Sequence, residues 1–188
     1  MYKLCKTKKT AARQKHIEET LLFLMREKTY ERITVSELCE AAGIPRHAFY
    51  AYFDTKLDVI HSMLDRKVLV YKSNVKIKDP QELESSIKFF MDYWHQEKDF
   101  NQALENNGMI SLFVDALGEH AVAMNPNKNA LTETERLAIL VDYIGQIYLM
   151  LYWLRGNYGT SEEMAKLYVT WESEPIISRA GKQLFAPE

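Results

Sequence analysis

Four times along this chain a residue that can cap a helix is followed, three positions later, by a glutamate. Thr34 with Glu37, Asp79-Pro80-Gln81-Glu82, Thr132 with Glu135 and Thr160 with Glu163 all have this form. In each, a side-chain oxygen is expected to accept from a first-turn amide while the carboxylate reaches back to the cap. Breakers are sparse between these starts, with seven glycines and five prolines in 188 residues. No alternating run of β-branched residues marks a strand. The chain is expected to be all-α, its helices joined by short turns.

The apolar spacing fills in the elements. Ile17, Leu21, Leu24 and Met25, widened by Leu22 and Phe23, recur at helical spacing from about Ala11 to Lys28. A polar link from Thr29 to Ile33 leads to a short helix, Val35–Ala42, which stops at Gly43. Pro45 suits the first position of a third helix running to about Phe53. Asp54 or Thr55 caps a fourth that carries Leu57, Ile60, Leu64 and Leu69. Asp99 opens a further helix, Asn125-Pro126-Asn127 marks a loop, and Gly156 to Gly159 is a turn.

Charge and cysteine content narrow the class. Residues 1–60 hold 11 Lys/Arg against 8 Asp/Glu, whereas residues 61–188 hold 13 against 18. Lys3, Lys6, Lys8, Lys9 and Arg13 all precede the first acid, Glu18. A basic front on an acidic body suits a polyanion partner at the front, and it equally suits a solvated tail. Cys5 and Cys39 are too few for a disulfide framework or a four-thiolate zinc site. They fit a reducing cytoplasm. Residues 1–15 lack the apolar run of a signal peptide, so none is expected. The longest apolar run, Leu137 to Leu154, contains Asp142, and no membrane association is expected.

The second and third helices and their join hold the most information. A helix-turn-helix needs a small residue at the crossing, a turn former, and apolar anchors behind the second helix. Cys39 supplies the first and Gly43 the second, with Leu38, Ile44, Phe49 and Phe53 facing inward. Arg46, His47, Tyr50 and Ala51 then project outward, with donors for bases and phosphates. A helical hairpin of the core with a polar outer face would have the same pattern.

The stretch ITVSELCEAAGIPRHAFYAYFDTKLDVI, Ile33 to Ile60, resembles the amino-terminal DNA-binding domain of the TetR family of transcriptional regulators. The pieces are T-V-x-E-L, then A-G-I, then F-Y-x-Y-F, then D-T-K-x-D. The likeness covers roughly the first third of the chain. It implies a DNA-binding domain over residues 1–55 and a helical regulatory and dimerisation domain over 56–188. It further implies that Thr34 caps the second helix and touches a phosphate, and that Ser36 reaches a base. Arg46, His47 and Ala48 would open the recognition helix, Tyr50 and Tyr52 would meet the sugar-phosphate backbone, and Lys56 would bind a phosphate. Two residues depart from the family pattern. Pro45 stands where a hydroxyl residue is usual, and Ala48 replaces a commonly polar one, leaving an apolar contact such as one to a thymine methyl.

The resemblance implies a dimeric, sequence-specific regulator binding a palindromic operator, a repressor released by a small apolar or aromatic effector bound in the second domain. A co-activator or orphan regulator without an inducer is the alternative within the fold. The helix from about Glu133 to Arg155 supports dimerisation independently, because it is apolar all round and must be covered on every side. Tyr148, Leu151, Tyr152, Leu167 and Trp171 are the candidate dimer interface. A monomer that hides this helix centrally is the other solution. LYWLRGNYGTSEEMAKLY also resembles the end of some regulatory domains of the family. Phe90, Trp94, Phe113 and Tyr143 are the candidate ligand pocket, although ordinary core packing would look the same.

Other chemistry finds little purchase. Asp58-x-x-His61 and Asp92-x-x-His95 place a carboxylate and an imidazole one turn apart, without the Glu-x-x-His pairs of a di-metal bundle. No phosphate loop, serine elbow or zinc-protease motif occurs. Neither enzymatic activity nor a cofactor or metal is expected. A helical metal-binding or enzymatic bundle is the rival reading from another class.

Overall fold

The computed structural model describes residues 7–74, 83–124, 128–156 and 158–173, without the side chains of residues 72, 120, 124 and 171–173. Cys5, the start signal at Asp79–Glu82 and the loop at Asn125–Asn127 lie outside the described residues. Those that are described form helices and turns with no strand. The helices are α1 (Lys8–Glu27), α2 (Val35–Ala41), α3 (Arg46–Tyr50), α4 (Lys56–Asn74), α5 (Leu83–Gln96), α6 (Lys98–Asn106), α7 (Ile110–Met124), α8 (Glu133–Gly156) and α9 (Ser161–Ser173). A single 3-10 turn, Tyr30–Arg32, joins α1 to α2.

Packing groups the chain into two compact units that cut across the functional division expected at residues 55/56. One unit is Met1–Val70 with Asp99–Lys128; the other is Tyr71–Lys98 with Asn129–Glu188. In the first, α1 buries Ile17, Leu21 and Met25 at helical spacing. Beside them lie Leu38 of α2, Phe49 of α3, and Val59, Ile60, Met63 and Leu64 of α4, all buried. The stripe expected on α4 is thus rotated: Leu57 and Leu69 are exposed. Phe23 on α1 is also exposed, since it lies outside the Ile17–Leu21–Met25 stripe.

A line of polar groups is buried between α1 and α4. Gln14 Nε2 donates to Ser62 Oγ (2.7 Å), Ser62 Oγ donates to Glu18 Oε1 (2.7 Å), and Arg66 Nη2 meets the same oxygen at 2.7 Å. Burial pushes the Glu18 carboxyl above its ordinary value of 4.5, against the pull of Ser62 and Arg66. A raised folded-state pKa stabilises the fold below 4.5 and loses that contribution as pH rises through the folded value. Relative to Glu18→Gln, which keeps an oxygen acceptor for Ser62, the native chain should therefore lose stability between pH 4.5 and 7. Thermal melts of both proteins across that range read the difference. At pH 7 the variant should melt no lower than the native chain, because it removes a buried charge.

The caps follow the sequence in three helices and depart from it in two. Thr132 with Glu135 and Thr160 with Glu163 form reciprocal boxes, with N to carboxylate distances of 2.7 Å in each. Thr55 caps α4, accepting from Asp58 N (3.2 Å) while Asp58 Oδ2 accepts from Thr55 N (2.9 Å). At α2, Thr34 Oγ accepts from Glu37 N (3.2 Å), but the Glu37 carboxylate pairs with Lys28 instead of reaching back. Pro45 is the N-cap of α3 rather than its first residue, with φ −73° and ψ 151°. The helix proper ends at Tyr50, before Phe53.

In the second unit α5, α8 and α9 pack on one another. Phe90, Met91 and Trp94 of α5, Ile147, Met150 and Leu151 of α8, and Ala165 of α9 are buried. Tyr71 adds a ring stacked on Phe89 (5.7 Å) and set edge-on to Phe90 (5.8 Å). By length and composition α8 could cross a membrane, with mean hydropathy 1.6 over its most apolar window. It also carries Asp142, which accepts from Gln146 Nε2 at 3.0 Å and from the Tyr168 hydroxyl of α9.

Candidate nucleic-acid interface

The join between α2 and α3 is set by local chemistry. Gly43 has φ +62°, a conformation in which a side chain costs roughly 1–2 kcal/mol. A Cβ there would meet nothing within 4 Å, so backbone conformation alone calls for glycine. Its amide donates to the Glu40 carbonyl (3.1 Å) and the Ile44 amide to the Cys39 carbonyl (2.9 Å), closing the end of α2 in a Schellman turn. Cys39 is buried, and burial pushes its thiol above the ordinary value, as expected of a packing residue rather than a redox sensor.

Behind α3, Phe49 and Phe53 are fully buried with ring centroids 5.7 Å apart. With those anchors inward, the helical period turns Arg46, His47 and Tyr50 to solvent, where all three are exposed. Ala48 and Tyr52 are half-buried; Thr34 and Ser36 are exposed on and beside the cap of α2. The Arg46 guanidinium reaches the Tyr50 hydroxyl at 3.5 Å, the outer limit of a hydrogen bond. This face therefore presents a guanidinium, an imidazole and a phenol on one short helix.

Lys56 is placed differently from the others. Its ammonium donates to the carbonyls of Tyr30, Ile33 (2.8 Å) and Glu31 (3.4 Å), and lies over the Tyr30 ring at 4.0 Å from the centroid. Burial holds its pKa below the ordinary lysine value and pushes the Tyr30 phenol up to about 12. His16 is a residue the sequence did not single out: its Nε2 donates to the Ala42 carbonyl (3.1 Å) and so ties α1 to the end of α2. No sequence signal marks a contact across 26 positions between a helix surface and a cap carbonyl.

Phe90 and Trp94 are fully buried in the second unit and Tyr143 is half-buried there, its phenol raised by burial. Phe113 is fully buried in the first unit. Among the interface candidates, Tyr148, Tyr152 and Leu167 are exposed by 58, 56 and 54 %. Leu151 is a correction: it is buried in its own chain, because it lies about 40° around the helix from Ile147 and about 60° from Tyr148. Tyr168, another residue of the α9 face, turns inward to Asp142. The side chain of Trp171 lies outside the described residues.

In the two carboxylate–imidazole pairs, both carboxylates and one imidazole have partners within the chain. Asp58 caps α4, Asp92 pairs with Lys88, and His95 packs against the Trp153 ring at 5.2 Å. Among the described residues no group of three His, Cys, Asp or Glu could hold a metal ion.

Comparison with known proteins gives three findings. Residues 21–63 match the family model described as bacterial regulatory proteins, tetR family. An uncharacterized HTH-type transcriptional regulator of Bacillus subtilis (strain 168), YxbF, is 24 % identical over 166 residues; the match takes in 83 % of this chain and 43 % of that protein. The chain thus spans less than half the length of that relative. Two solved structures share the fold. A putative TetR-family regulator from Syntrophomonas wolfei has a TM-score of 0.68 at 15 % identity, over 94 % of this chain and 99 % of that one. A tetR-family regulator from Streptomyces coelicolor has a TM-score of 0.56 at 18 % identity, over 93 % and 92 %.

Proposed function

We propose that this chain, whose residues 21–63 match the tetR family model, is a transcriptional regulator of that family that binds a palindromic DNA operator as a homodimer in the cytoplasm and acts there as a repressor. In this reading residues 1–55 form the reading head and residues 56–188 the regulatory and dimerisation domain. Thr34, Ser36, Arg46, His47, Ala48, Tyr50 and Tyr52 face the duplex, with Arg46 and His47 reading bases and Tyr50 and Tyr52 meeting the backbone. The observation that carries the proposal is the exposed Arg46–His47–Tyr50 face, backed by the fully buried Phe49.

Dimerisation is supported by a second observation. Leu137, Val141, Ile144, Tyr148 and Tyr152 follow one another at spacings of three and four along α8, and every one is exposed. Leu167 of α9 and a stacked pair, Tyr152 on Tyr158 at 4.8 Å, extend the apolar surface. A second copy of the same face, brought up by a two-fold axis, would cover it. A small apolar or aromatic effector would release the operator by binding one arrangement of the dimer better than the other. The aromatic packing of Phe90, Trp94 and Tyr143 in the second unit is the surface such a ligand would have to enter.

Selection of bound fragments from random duplex DNA tests the reading. The expected product is an inverted repeat with half-sites about one helical turn, ~34 Å, apart or a multiple of it. Affinity for that repeat should fall steeply with salt, as contacts to several phosphates require. Recovery of no enriched sequence, or of an asymmetric one bound by a monomer, would overturn it.

A further inference from the structure

The three residues of the Tyr30–Arg32 turn bury no side chain, yet this turn feeds Thr34 and α2 and, through Gly43, the reading helix. Tyr30 is only half-buried and Glu31 and Arg32 are exposed, so polar ties do much of the holding. On one side the Asn107 carboxamide oxygen accepts from Tyr30 N at 2.6 Å. On the other the Lys56 ammonium gathers the Tyr30, Glu31 and Ile33 carbonyls and covers the Tyr30 ring. Three carbonyls match the three donors of an ammonium, so Lys56 is occupied within the chain.

Asn107 is itself held in place. Its Nδ2 donates to the Ala103 carbonyl at 2.7 Å. Gly108, with φ +66°, closes α6 behind it: the Gly108 amide donates to Glu105 and the Met109 amide to Leu104, at 3.0 and 2.8 Å. A second tie, Arg26 to Asp99 at 2.6 Å, joins the last turn of α1 to the first turn of α6. All of these residues lie within the first packing unit.

We propose that Asn107 and Lys56 are positioning residues for DNA recognition, which pin the Tyr30 turn from its two sides and thereby set the pose of α2 and α3. Neither touches DNA. For Lys56 this replaces the phosphate contact that the family resemblance implies. The inference rests on the DNA-binding reading above.

The test uses the full-length chain and the DNA recovered by selection, with folding checked by thermal melts. Asn107→Ala should weaken binding to the selected sequence by roughly tenfold, the value of about one hydrogen bond, and leave binding to random DNA unchanged. Asn107→Asp, which keeps the acceptor for Tyr30 N but loses the donation to the Ala103 carbonyl, should recover part of the lost affinity. Hydrogen exchange should quicken over residues 30–37 in Asn107→Ala and not in Asn107→Asp. For Lys56→Met, the slope of log affinity against log salt should equal that of the native chain, whereas loss of a phosphate contact would lower it by about one. A stability loss without a change in base preference would mark Asn107 as merely structural and overturn the inference. A reduced slope for Lys56→Met would overturn it for that residue. If the native chain enriches no DNA, the underlying reading fails first and this inference with it; if it binds and both variants behave as native, the inference alone fails.

Discussion

Replacing Arg46 with alanine is expected to lower affinity for the selected operator by about 1–3 kcal/mol, roughly five- to 150-fold, and to relax base preference at one position of each half-site. The side chain sits in the first turn of a five-residue helix whose other face is locked by Phe49, so its direction is fixed by packing and not by its own contacts. Its one internal partner, Tyr50 Oη at 3.5 Å, is weak enough to be given up for a guanine edge or a phosphate. Because Arg46 is exposed, the variant should melt with the native protein. Binding measured on the operator and on single-base variants separates the two outcomes. Uniform weakening across all sequences would make Arg46 a backbone contact. An unchanged profile would mean that α3 does not face the groove.

Introducing two carboxylates into the exposed stripe of α8, Val141→Glu with Tyr148→Glu, should convert the proposed homodimer to a folded monomer. Both positions are solvent-facing in the single chain, at 68 and 58 %, so their cost to the fold is small. At a two-fold interface each substitution is presented twice. Buried carboxylates without partners, together with the lost anchors, should raise the dimer dissociation constant by at least about 100-fold, or ~3 kcal/mol. Mass measured by sedimentation or light scattering reads this directly. Operator binding should fall with it, since two heads tethered together engage the second half-site at high effective concentration. A double variant with the native mass would place the interface elsewhere.

The two experiments concern parts of the chain that were legible to very different degrees. The exposed face of α3 could be placed from residue types alone. Gly43 needs a left-handed backbone, Phe49 and Phe53 need burial, and a helical period then leaves Arg46, His47 and Tyr50 nowhere to point but outward. The caps at Thr55, Thr132 and Thr160 were legible for the same reason, being contacts between residues three apart. Leu151 was misplaced because a helix that is apolar on every side gives no phase. Only the packing of α5 and α9 against α8 separates its covered face from its exposed one.

Local chemistry in the chain therefore determines the helices, their ends, and the chemical character of the α3 surface, since each depends on groups a few residues apart. Tertiary structure decides what each shared surface is used for. Glu37 turns from its own helix cap to Lys28, Lys56 turns to the carbonyls of a turn more than twenty residues away, and Asn107 reaches back to Tyr30. In each case a flexible polar side chain has several partners of similar energy, and only the approach of distant backbone selects among them.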